Sequence, residues 1–587
     1  MQNIINMSKI NFLLFLVSSA VVGCVAVKSN LVSIRSDTDN GGLYLPGGFG
    51  AIVVADSVGP TRHIAVNANG DIYAKFSRSR KGMGGTVALR DLNGDGKVDS
   101  MVRFGNYEDV GSSAVGVTIY NGYLYTSTVN QVLRNKLKAG ELVPTSPTEI
   151  VLTDTDPNVA RNWHTTKPLA FDKKGNMYVP FGSPSDAGQD LAKFGPIGIP
   201  NGKGLDPSPE LGSYGGIWRF DAGKVNLTQK DGRKYATGIR SVVGMMWNPQ
   251  DDNLYAVMNG IDNFHTIYPD LFTAWQAAVL PSEPLLKVTP DANFGWPYAY
   301  YDHIQGKNLL QPGYGGDGKT IGRAAKFDVP VAGFPGHWAP MDILFYQGNQ
   351  FPPRYKQGAF IAFHGSTDRS PYPQAGYIVC FVPLAKGKQS GDWEVFADGF
   401  TKVDTVVNTS DAVYRPMGLA EGPDGSLYIS ESNKGKIWRI LYNGDKNSFG
   451  NDQLAKMELR KTSRSYIKQP DVIKDNLQRP DRLAGGILYN TYCASCHQRD
   501  GKGDNSRFPP LAGSDWVTGD KTRLINTILN GLDGEIKVNG QTWNGLMPAH
   551  GGFLDDHAVA SIATYIRQSF GNRASSITTG EVSKQRK

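Results

Sequence analysis

The clearest chemistry in this chain lies towards its C-terminus, in the segment YNTYCASCHQRDGKG at residues 489–503. Cys493 and Cys496 are separated by two residues, and His497 follows directly. This spacing is typical of covalent haem attachment, in which both thiols form thioethers and the histidine binds the iron. A CxxC pair also binds zinc, but zinc requires two further ligands, so the adjacent histidine favours haem c.

The second axial ligand of this haem is expected downstream, in the segment NGLMPAHGG. We predict Met547, in a loop before the last helix, because a thioether ligand suits an electron-transfer haem. His550 and His557 are alternative ligands. Pro510 is expected to accept a hydrogen bond from the other ring nitrogen of His497. About 90 residues around these motifs resemble a class I cytochrome c.

A second group of chemically active side chains lies upstream, at the ends of apolar strands in a repeated segment. Four arginines that converge on one axis require an anion, and a polycarboxylate fits better than a phosphate because no Gly-rich phosphate loop accompanies them. Each arginine taken singly is more often a surface or bridging residue, so the prediction rests on their equivalent placement. The group comprises Arg62, His164, Arg240, His364, Arg369 and Arg415.

The repeated segment that carries these residues is an apolar strand, a Gly-, Asn- or Asp-containing turn, and a second strand with Tyr or Phe. Its turn chemistry and alternation predict a β-hairpin. Hairpins that recur along the chain are typical of propeller blades, and the copies predict a six-bladed β-propeller. The copies are residues 63–76, 116–128, 168–182, 244–260, 342–365 and 418–432.

The predicted fold class is therefore mainly β, with a propeller over residues 24–443 followed by a small all-α cytochrome c domain over residues 481–572. The apolar residues of LDDHAVASIATYIRQSFGN recur at helical spacing in that second domain. Residues 444–480 are polar and are expected to form a linker. Residues 573–587 are expected to be a disordered tail.

The N-terminal residues 1–23 combine one lysine with an apolar run that is too short to span a membrane comfortably, and predict a secretory signal. Val-Val-Gly before Cys24 resembles a lipobox, so we favour a lipid anchor at Cys24 over an ordinary cleaved signal. Export to the periplasm or outer membrane also suits c-type haem. The remaining cysteine, Cys380, is expected to be a buried core thiol. The net charge is +7, but the basic residues are scattered along the chain, which argues against nucleic acid as a partner.

Residues 45–442 resemble the sugar dehydrogenases that depend on pyrroloquinoline quinone (PQQ). They are most similar to the sorbosone and pyranose dehydrogenase branch of the soluble glucose dehydrogenase type. The motifs that carry the resemblance are LPGGFGAIVVADSVGPTRHIAV, GIRSVVGMMWNP, NFGWPYAYYD, FHGSTDRS and YRPMGLAEGPDGSLYISE. PQQ carries three carboxylates, which would supply the anion that the arginines require.

The resemblance also implies roles for individual residues. His164 would be the general base and Arg240 would stabilise charge on the quinone oxygens. The backbone carbonyls of Gly260 and Ile261 would bind the calcium ion that polarises the quinone. Serine at position 241, where related enzymes often have asparagine, leaves substrate identity open. The PQQ carboxylates would be held by Arg62, His364, Arg369 and Arg415.

A second calcium site is a candidate in DLNGDGKVD, at residues 91–99. Its oxygen ligands would be Asp91, Asn93, Asp95 and Asp99. Val102 stands where a calcium loop has its bidentate glutamate, so a plain polar turn is an equal alternative.

The predicted function is a quinohaemoprotein dehydrogenase. It would oxidise a sugar, polyol or related aldehyde at PQQ and pass electrons through haem c to an external cytochrome, quinone pool or oxidase. One alternative is a non-catalytic carbohydrate-binding propeller that displays an electron-transfer cytochrome c. Another is a metal-dependent lyase or hydrolase, which would require several histidines around one metal; the nine histidines of the chain form no HxxxH cluster.

Overall fold

The computed structural model describes residues 34–77, 84–109, 113–262, 264–268, 271–369, 372–470, 482–504 and 507–586. The predicted signal and Cys24 lie outside these ranges. Among the described residues, no helix is long and apolar enough to cross a membrane.

The first three blades of a propeller are antiparallel sheets that follow one another along the chain. Blade 1 contains Thr61–Val66, Ile72–Phe76, Thr86–Arg90 and Ser100–Phe104. Blade 2 contains Val117–Tyr120, Tyr123–Ser127, Gln131–Lys136 and Glu149–Thr153, with Leu227–Thr228 added in parallel. Blade 3 contains Ala170–Phe171, Asn176–Phe181, Gly216–Asp221 and Arg233–Thr237, with Ala292–Asn293 added in parallel.

The other three blades complete the ring. Blade 4 contains Val242–Asn248, Asn253–Met258, Glu283–Val288 and Ala332–Phe334. Its long insertion carries a hairpin of Ala299–Asp302 and Lys307–Leu310. Blade 5 contains Pro340–Leu344, Gly358–Phe363, Ile378–Ala385 and Glu394–Ala397, with Lys388–Gln389 at its edge. Blade 6 contains Pro416–Glu421, Leu427–Glu431 and Ile437–Tyr442.

Blade 6 takes its fourth strand from the other end of the domain. Phe49–Ala55 pairs antiparallel with Ile437–Tyr442 and so closes the ring between its first and last strands. Each predicted hairpin supplies the two innermost strands of one blade, and the prediction of a six-bladed, mainly β protein is confirmed. Short helices, Leu191–Phe194, Phe264–Ile267 and Ala274–Val279, lie in the loops of blades 3 and 4.

The core of the propeller lies between adjacent blades, where apolar side chains from neighbouring sheets interdigitate. Phe49, Phe360 and Phe396 pack edge to face between blades 5 and 6. Cys380 is fully buried in the adjoining cluster, as predicted for a core thiol. These contacts hold the inner strands, and the loops at their ends, in fixed positions around the axis.

The prediction of a linker over residues 444–480 is wrong for its first part. Asn451–Ser463 is a helix that packs on blade 5 through the buried side chains of Leu454, Met457 and Arg460. The guanidinium of Arg460 forms an ion pair with Asp398. Periodic apolar residues are sparse in this helix, since only one narrow stripe meets the propeller, which explains why its composition indicated a linker.

The C-terminal domain is built from Arg482–Tyr492, Ala494–His497, Asp515–Thr518, Lys521–Asn530 and Asp556–Gln568. Their apolar faces form one core. The predicted helical cytochrome domain is confirmed, and it also contains a hairpin of Leu532–Val538 and Gln541–Met547 that an all-α prediction omitted.

The prediction of a disordered tail over residues 573–587 is also wrong. Thr579–Ser583 forms a helix, and Ile577 and Val582 are fully buried in the domain core. Arg586 forms an ion pair with Asp556 at 2.5 Å. The segment is mostly polar, so its composition predicted disorder. Its two apolar residues, Ile577 and Val582, are buried only because the folded cytochrome c domain provides a core for them.

Candidate active site and haem site

A cavity of about 180 Å³ lies where loops meet at one end of the propeller axis. Its walls come from several blades, because each inner strand begins or ends beside the axis. The cavity brings together three of the predicted site residues, Arg62, His164 and Arg240, with Val115 and Met341 among its other walls.

His164 is held in one tautomer by its surroundings. Its Nδ1 donates to the carbonyl of Ser183 at 2.5 Å, and its backbone N–H donates to the side chain of Asn162 at 2.9 Å. Because a carbonyl only accepts, the neutral ring carries its lone pair on Nε2. Burial, followed by the charge of Arg240, lowers the pKa of His164 to about 4. The side chain is therefore an unprotonated acceptor at neutral pH.

Arg240 is almost fully buried and is neutralised by two carboxylates that the sequence did not single out. It forms ion pairs with Asp186 and, at 2.8 Å, with Asp262. Its guanidinium also donates to the carbonyl of Gly260. Asp262 follows the motif that carries Gly260 and Ile261, and Asp186 lies in a loop of blade 3; neither position has a sequence signal that would mark it as a partner of Arg240.

A second set of side chains, Arg415, His364 and Arg369, lies beside this cavity, and among the described residues none of the three forms a salt bridge with a carboxylate. The guanidinium of Arg415 donates to the carbonyls of His364 and Gly365. His364 contacts the hydroxyl of Ser432 at 2.6 Å, and burial together with Arg415 and Arg62 holds its pKa well below the usual value. Backbone carbonyls thus contact the guanidinium of Arg415, and a hydroxyl contacts the neutral imidazole of His364.

Arg369 completes this set. Its Nε donates to the carbonyl of Ala278 at 2.9 Å, while its buried Nη1 has no hydrogen-bond partner among the described residues. Burial lowers the pKa of Arg369 to about 10, and burial also lowers that of Arg415. Glu283 and Glu431 act on these guanidinium groups only at a distance, and guanidinium groups without a carboxylate salt bridge favour an anionic ligand, so the set fits a polycarboxylate.

The two predicted calcium sites have different surroundings. The carbonyl of Gly260 accepts a hydrogen bond from Arg240, and the side chain of Ile261 packs in an apolar cluster. In the loop at residues 91–99, Asp91 accepts hydrogen bonds from two backbone amides and Asp99 accepts from Asn93 and Leu92. Asp95 accepts from the backbone of Lys97. This network is that of a self-contained polar turn, the alternative reading of the loop.

The described residues contain two groups of at least three acidic or imidazole side chains with ligand atoms within 4.8 Å of one another. One is His164, Asp186 and Asp262, and the other is Asp262, His337 and Asp368. Asp91, Asp95 and Asp99 form no such group. Neither group was predicted, because its members come from separate loops.

The C-terminal domain contains an apolar cavity that gathers the predicted haem residues. Cys493, Cys496, His497, Met547 and His550 all line it. Met547 ends a strand rather than lying in a loop. The predicted alternative His557 lies on the Asp556–Gln568 helix and does not line the cavity.

The histidine of the CxxCH motif is oriented by one hydrogen bond. Its Nδ1 donates to the carbonyl of Pro509 at 2.9 Å, which leaves Nε2 of His497 for the iron. The prediction of Pro510 as the acceptor is wrong by one residue. The cavity, its two thiols, the free Nε2 and a thioether together fit covalently bound haem.

Residues 480–566 match the family model of cytochrome C oxidase, cbb3-type, subunit III. Cytochrome c-552 of Thermus thermophilus is 36% identical over 93 residues, which are 15% of this chain and 70% of that protein. The chain belongs to the cytochrome c family. Membership rests on this C-terminal cytochrome c domain.

The propeller matches another family. Residues 216–443 match the model described as TrAA12-like. The holo form of the pyranose dehydrogenase PQQ domain of Coprinopsis cinerea is 18% identical, with a TM-score of 0.51, over 68% of this chain and 97% of that domain. The propeller ahead of the cytochrome c domain thus has the fold of the PQQ-dependent soluble sugar dehydrogenases, and the predicted resemblance is confirmed.

An uncharacterized protein of Borreliella burgdorferi is 30% identical over 219 residues, which are 37% of this chain. The chain spans 51% of the length of that relative.

Proposed function

We propose that this protein is a quinohaemoprotein dehydrogenase that oxidises a sugar, polyol or related aldehyde in the propeller and delivers electrons through its cytochrome c domain. One observation carries the proposal. A cavity with a neutral histidine adjoins the guanidinium groups of Arg369 and Arg415, which form no carboxylate salt bridge among the described residues, in the same chain as a haem site.

The cations fit PQQ, because its three carboxylates match buried donors that have only carbonyl partners. Arg369 offers its unpaired Nη1, and Arg415 offers a guanidinium that forms no carboxylate salt bridge among the described residues. Arg62 and His364 would complete the binding site from blades 1 and 5. Bound PQQ supplies a two-electron oxidant that accepts a hydride from the carbon of the substrate.

His164 acts on the proton. Its Nε2 would accept the proton of the substrate hydroxyl as the C–H bond breaks, while Nδ1 remains hydrogen-bonded to Ser183. The low pKa of the ring keeps Nε2 unprotonated. Arg240 holds positive charge beside this proton transfer, and its ion pairs with Asp186 and Asp262 keep the guanidinium in place.

The cytochrome c domain would receive the electrons one at a time. Cys493, Cys496 and His497 would hold haem c, with Met547 as a further ligand of the iron, and the bound haem would supply a one-electron carrier. Fusion to the propeller raises the effective concentration of this carrier near the site of oxidation. An external acceptor, a cytochrome, a quinone pool or an oxidase, would then take the electrons.

Three further features belong to the proposal. Calcium would bind at the backbone carbonyls of Gly260 and Ile261, beside Arg240. Residues 1–23 would direct export, and a lipid at Cys24 would attach the protein to a membrane. The periplasm or outer membrane would then be the site of action, where c-type haem is attached.

The test is reconstitution of the purified full-length protein with PQQ and calcium, followed by a screen of sugars, polyols and aldehydes with haem absorption as the readout. We expect at least one substrate to reduce the haem, and His164→Ala to slow the reduction. A propeller that only binds carbohydrate would bind sugars without any change in the haem spectrum. That outcome would reject the dehydrogenase and favour the non-catalytic alternative.

A further inference from the structure

Asp262, His337 and Asp368 form a cluster at the axis end of the propeller, and the proposed reaction uses only Asp262 of these three, as a partner of Arg240. Their ligand atoms all lie within 4.8 Å of one another. The three residues come from separate loops, after the second strand of blade 4, before blade 5 and after the second strand of blade 5. The fold, and not sequence proximity, brings them together.

His337 presents one particular nitrogen to the two carboxylates. Its ring is 2% exposed, and its Nε2 contacts the carbonyl of Ala277 at 2.8 Å. Since a carbonyl only accepts, Nε2 carries the hydrogen, and Nδ1 of the neutral ring keeps the lone pair that could bind a ligand. Arg240 already pairs with Asp262, whereas no cationic side chain among the described residues forms a salt bridge with Asp368, so a metal ion would relieve the remaining repulsion within the cluster.

The backbone of His337 also indicates that this arrangement is constrained. Its φ is 65°, in the left-handed region that residues other than glycine rarely adopt. Such conformations persist where contacts with the surrounding structure hold the backbone in place, and they are frequent at ligand-binding sites.

Each carboxylate keeps one oxygen available for a ligand. One oxygen of Asp262 accepts from Arg240 at 2.8 Å, and one oxygen of Asp368 accepts from the hydroxyl of Ser366 at 3.1 Å. These contacts orient the carboxyl groups in the way that outer partners orient metal ligands.

We propose that Asp262, His337 and Asp368 bind a divalent transition-metal ion through one oxygen of each carboxylate and Nδ1 of the imidazole. Metal–ligand bonds of about 2.0–2.2 Å place ligand atoms no more than about 4.4 Å apart, which the cluster can accommodate. A donor set with an imidazole suits Mn²⁺ or Zn²⁺, whereas Ca²⁺ takes oxygen ligands. The site therefore differs in chemistry from the calcium predicted at the carbonyls of Gly260 and Ile261, and it requires neither PQQ nor a substrate.

The experiment uses the full-length protein, treated with a chelator and free of PQQ. Mn²⁺ is titrated and its binding followed by electron paramagnetic resonance, and equilibrium dialysis gives the corresponding measurement for Zn²⁺. We expect one ion per chain. Asp368→Asn and His337→Gln should each weaken binding by at least tenfold, because each removes a ligand atom.

Asp95→Asn is the matched control, since it removes a carboxylate from the acidic loop at residues 91–99 and leaves the cluster intact. Circular dichroism checks that each variant is folded, and the partly exposed Asp368 tests the site even if the buried His337 variant does not fold. Absence of Mn²⁺ and Zn²⁺ binding would overturn the proposal, as would equal affinities in wild type and Asp368→Asn. A fall in affinity confined to Asp95→Asn would assign the ion to the loop.

Discussion

Arg499 of the cytochrome c domain forms an ion pair with Asp411 of the propeller, with 3.1 Å between nitrogen and oxygen. Arg499 lies just after His497 in the haem motif, and Asp411 lies just before Arg415 in the cation set. The ion pair therefore joins the segment that follows the haem motif to the segment that precedes Arg415. In the proposed function, this contact would hold the cytochrome c domain against the propeller during electron transfer.

Arg499→Ala should slow electron transfer into the haem and leave oxidation in the propeller unchanged. The pair is exposed to solvent on the arginine side, so the wild-type rate should also fall as salt is added. Stopped-flow absorption of the haem measures the rate after mixing with substrate, and a soluble dye measures the propeller alone. Arg523→Ala, an exposed arginine on a helix of the same domain, is the control; equal effects of both variants would contradict the prediction.

His164→Gln should lower kcat/KM by about 10²–10⁴-fold, the contribution of a positioned general base. The kcat/KM of the wild type should also decrease at acidic pH. Below a pH of about 4 the ring binds a proton at Nε2 and no longer accepts one, so kcat/KM should fall as the pH drops through that value. A profile that shows no acid limb attributable to His164, and that is the same in the variant, would contradict this assignment.

Arg369→Gln should weaken PQQ binding and leave the free protein as stable as wild type or more stable. A charge-assisted hydrogen bond contributes about 1.5–3 kcal/mol, equivalent to roughly ten- to a hundredfold in affinity. Without PQQ, the substitution removes a buried charge that lacks a carboxylate partner. Equilibrium dialysis and urea unfolding measure the two effects. Arg233→Gln, which breaks an exposed pair with Asp291, should change neither quantity.

Met547→Ala should lower the reduction potential of the haem and alter its absorption spectrum, because a thioether ligand favours ferrous iron. His550→Ala is the matched comparison, since His550 lines the same cavity. It should leave the axial ligation unchanged. If His550→Ala causes the spectral change and Met547→Ala does not, the histidine is the ligand.

Asp398→Ala should destabilise the propeller by about 3–5 kcal/mol, the cost of leaving a buried ion-pair partner uncompensated. Asp398 is fully buried, pairs with Arg460 and accepts from the hydroxyl of Tyr466 at 2.8 Å. Urea unfolding monitored by tryptophan fluorescence gives the change in free energy. Glu458→Ala on the exposed face of the same helix should have little effect, and equal losses in both variants would refute a specific role for the buried pair.

Local patterns were sufficient for much of the architecture. Cys493, Cys496 and His497 lie within five consecutive residues, so their spacing alone identified the haem attachment. Each blade hairpin is likewise encoded by a turn and the alternation beside it, which is why all six were found. The equivalent placement of Arg62 and Arg240 in those repeats predicted that both side chains lie near the propeller axis, and both line the cavity there.

Three features depended on the tertiary structure. Arg240 meets Asp186 and Asp262 through loops that the sequence keeps far apart, and His337 meets Asp368 in the same way. The acceptor for His497 is Pro509 and not Pro510, because the direction of a carbonyl depends on the backbone path around the haem cavity. No local sequence pattern encodes the contacts of Arg240, His337 or His497.

The sequence by itself determined the repeat, the haem motif and the class of side chain around the axis, since each depends on residues that are neighbours along the chain. The tertiary structure decided which charges are neutralised, which nitrogen of each histidine is left to act, and that Asn451–Ser463 packs on the propeller. These outcomes depend on burial and on partners that are distant in sequence. These contacts form only when the blades pack together into the closed propeller.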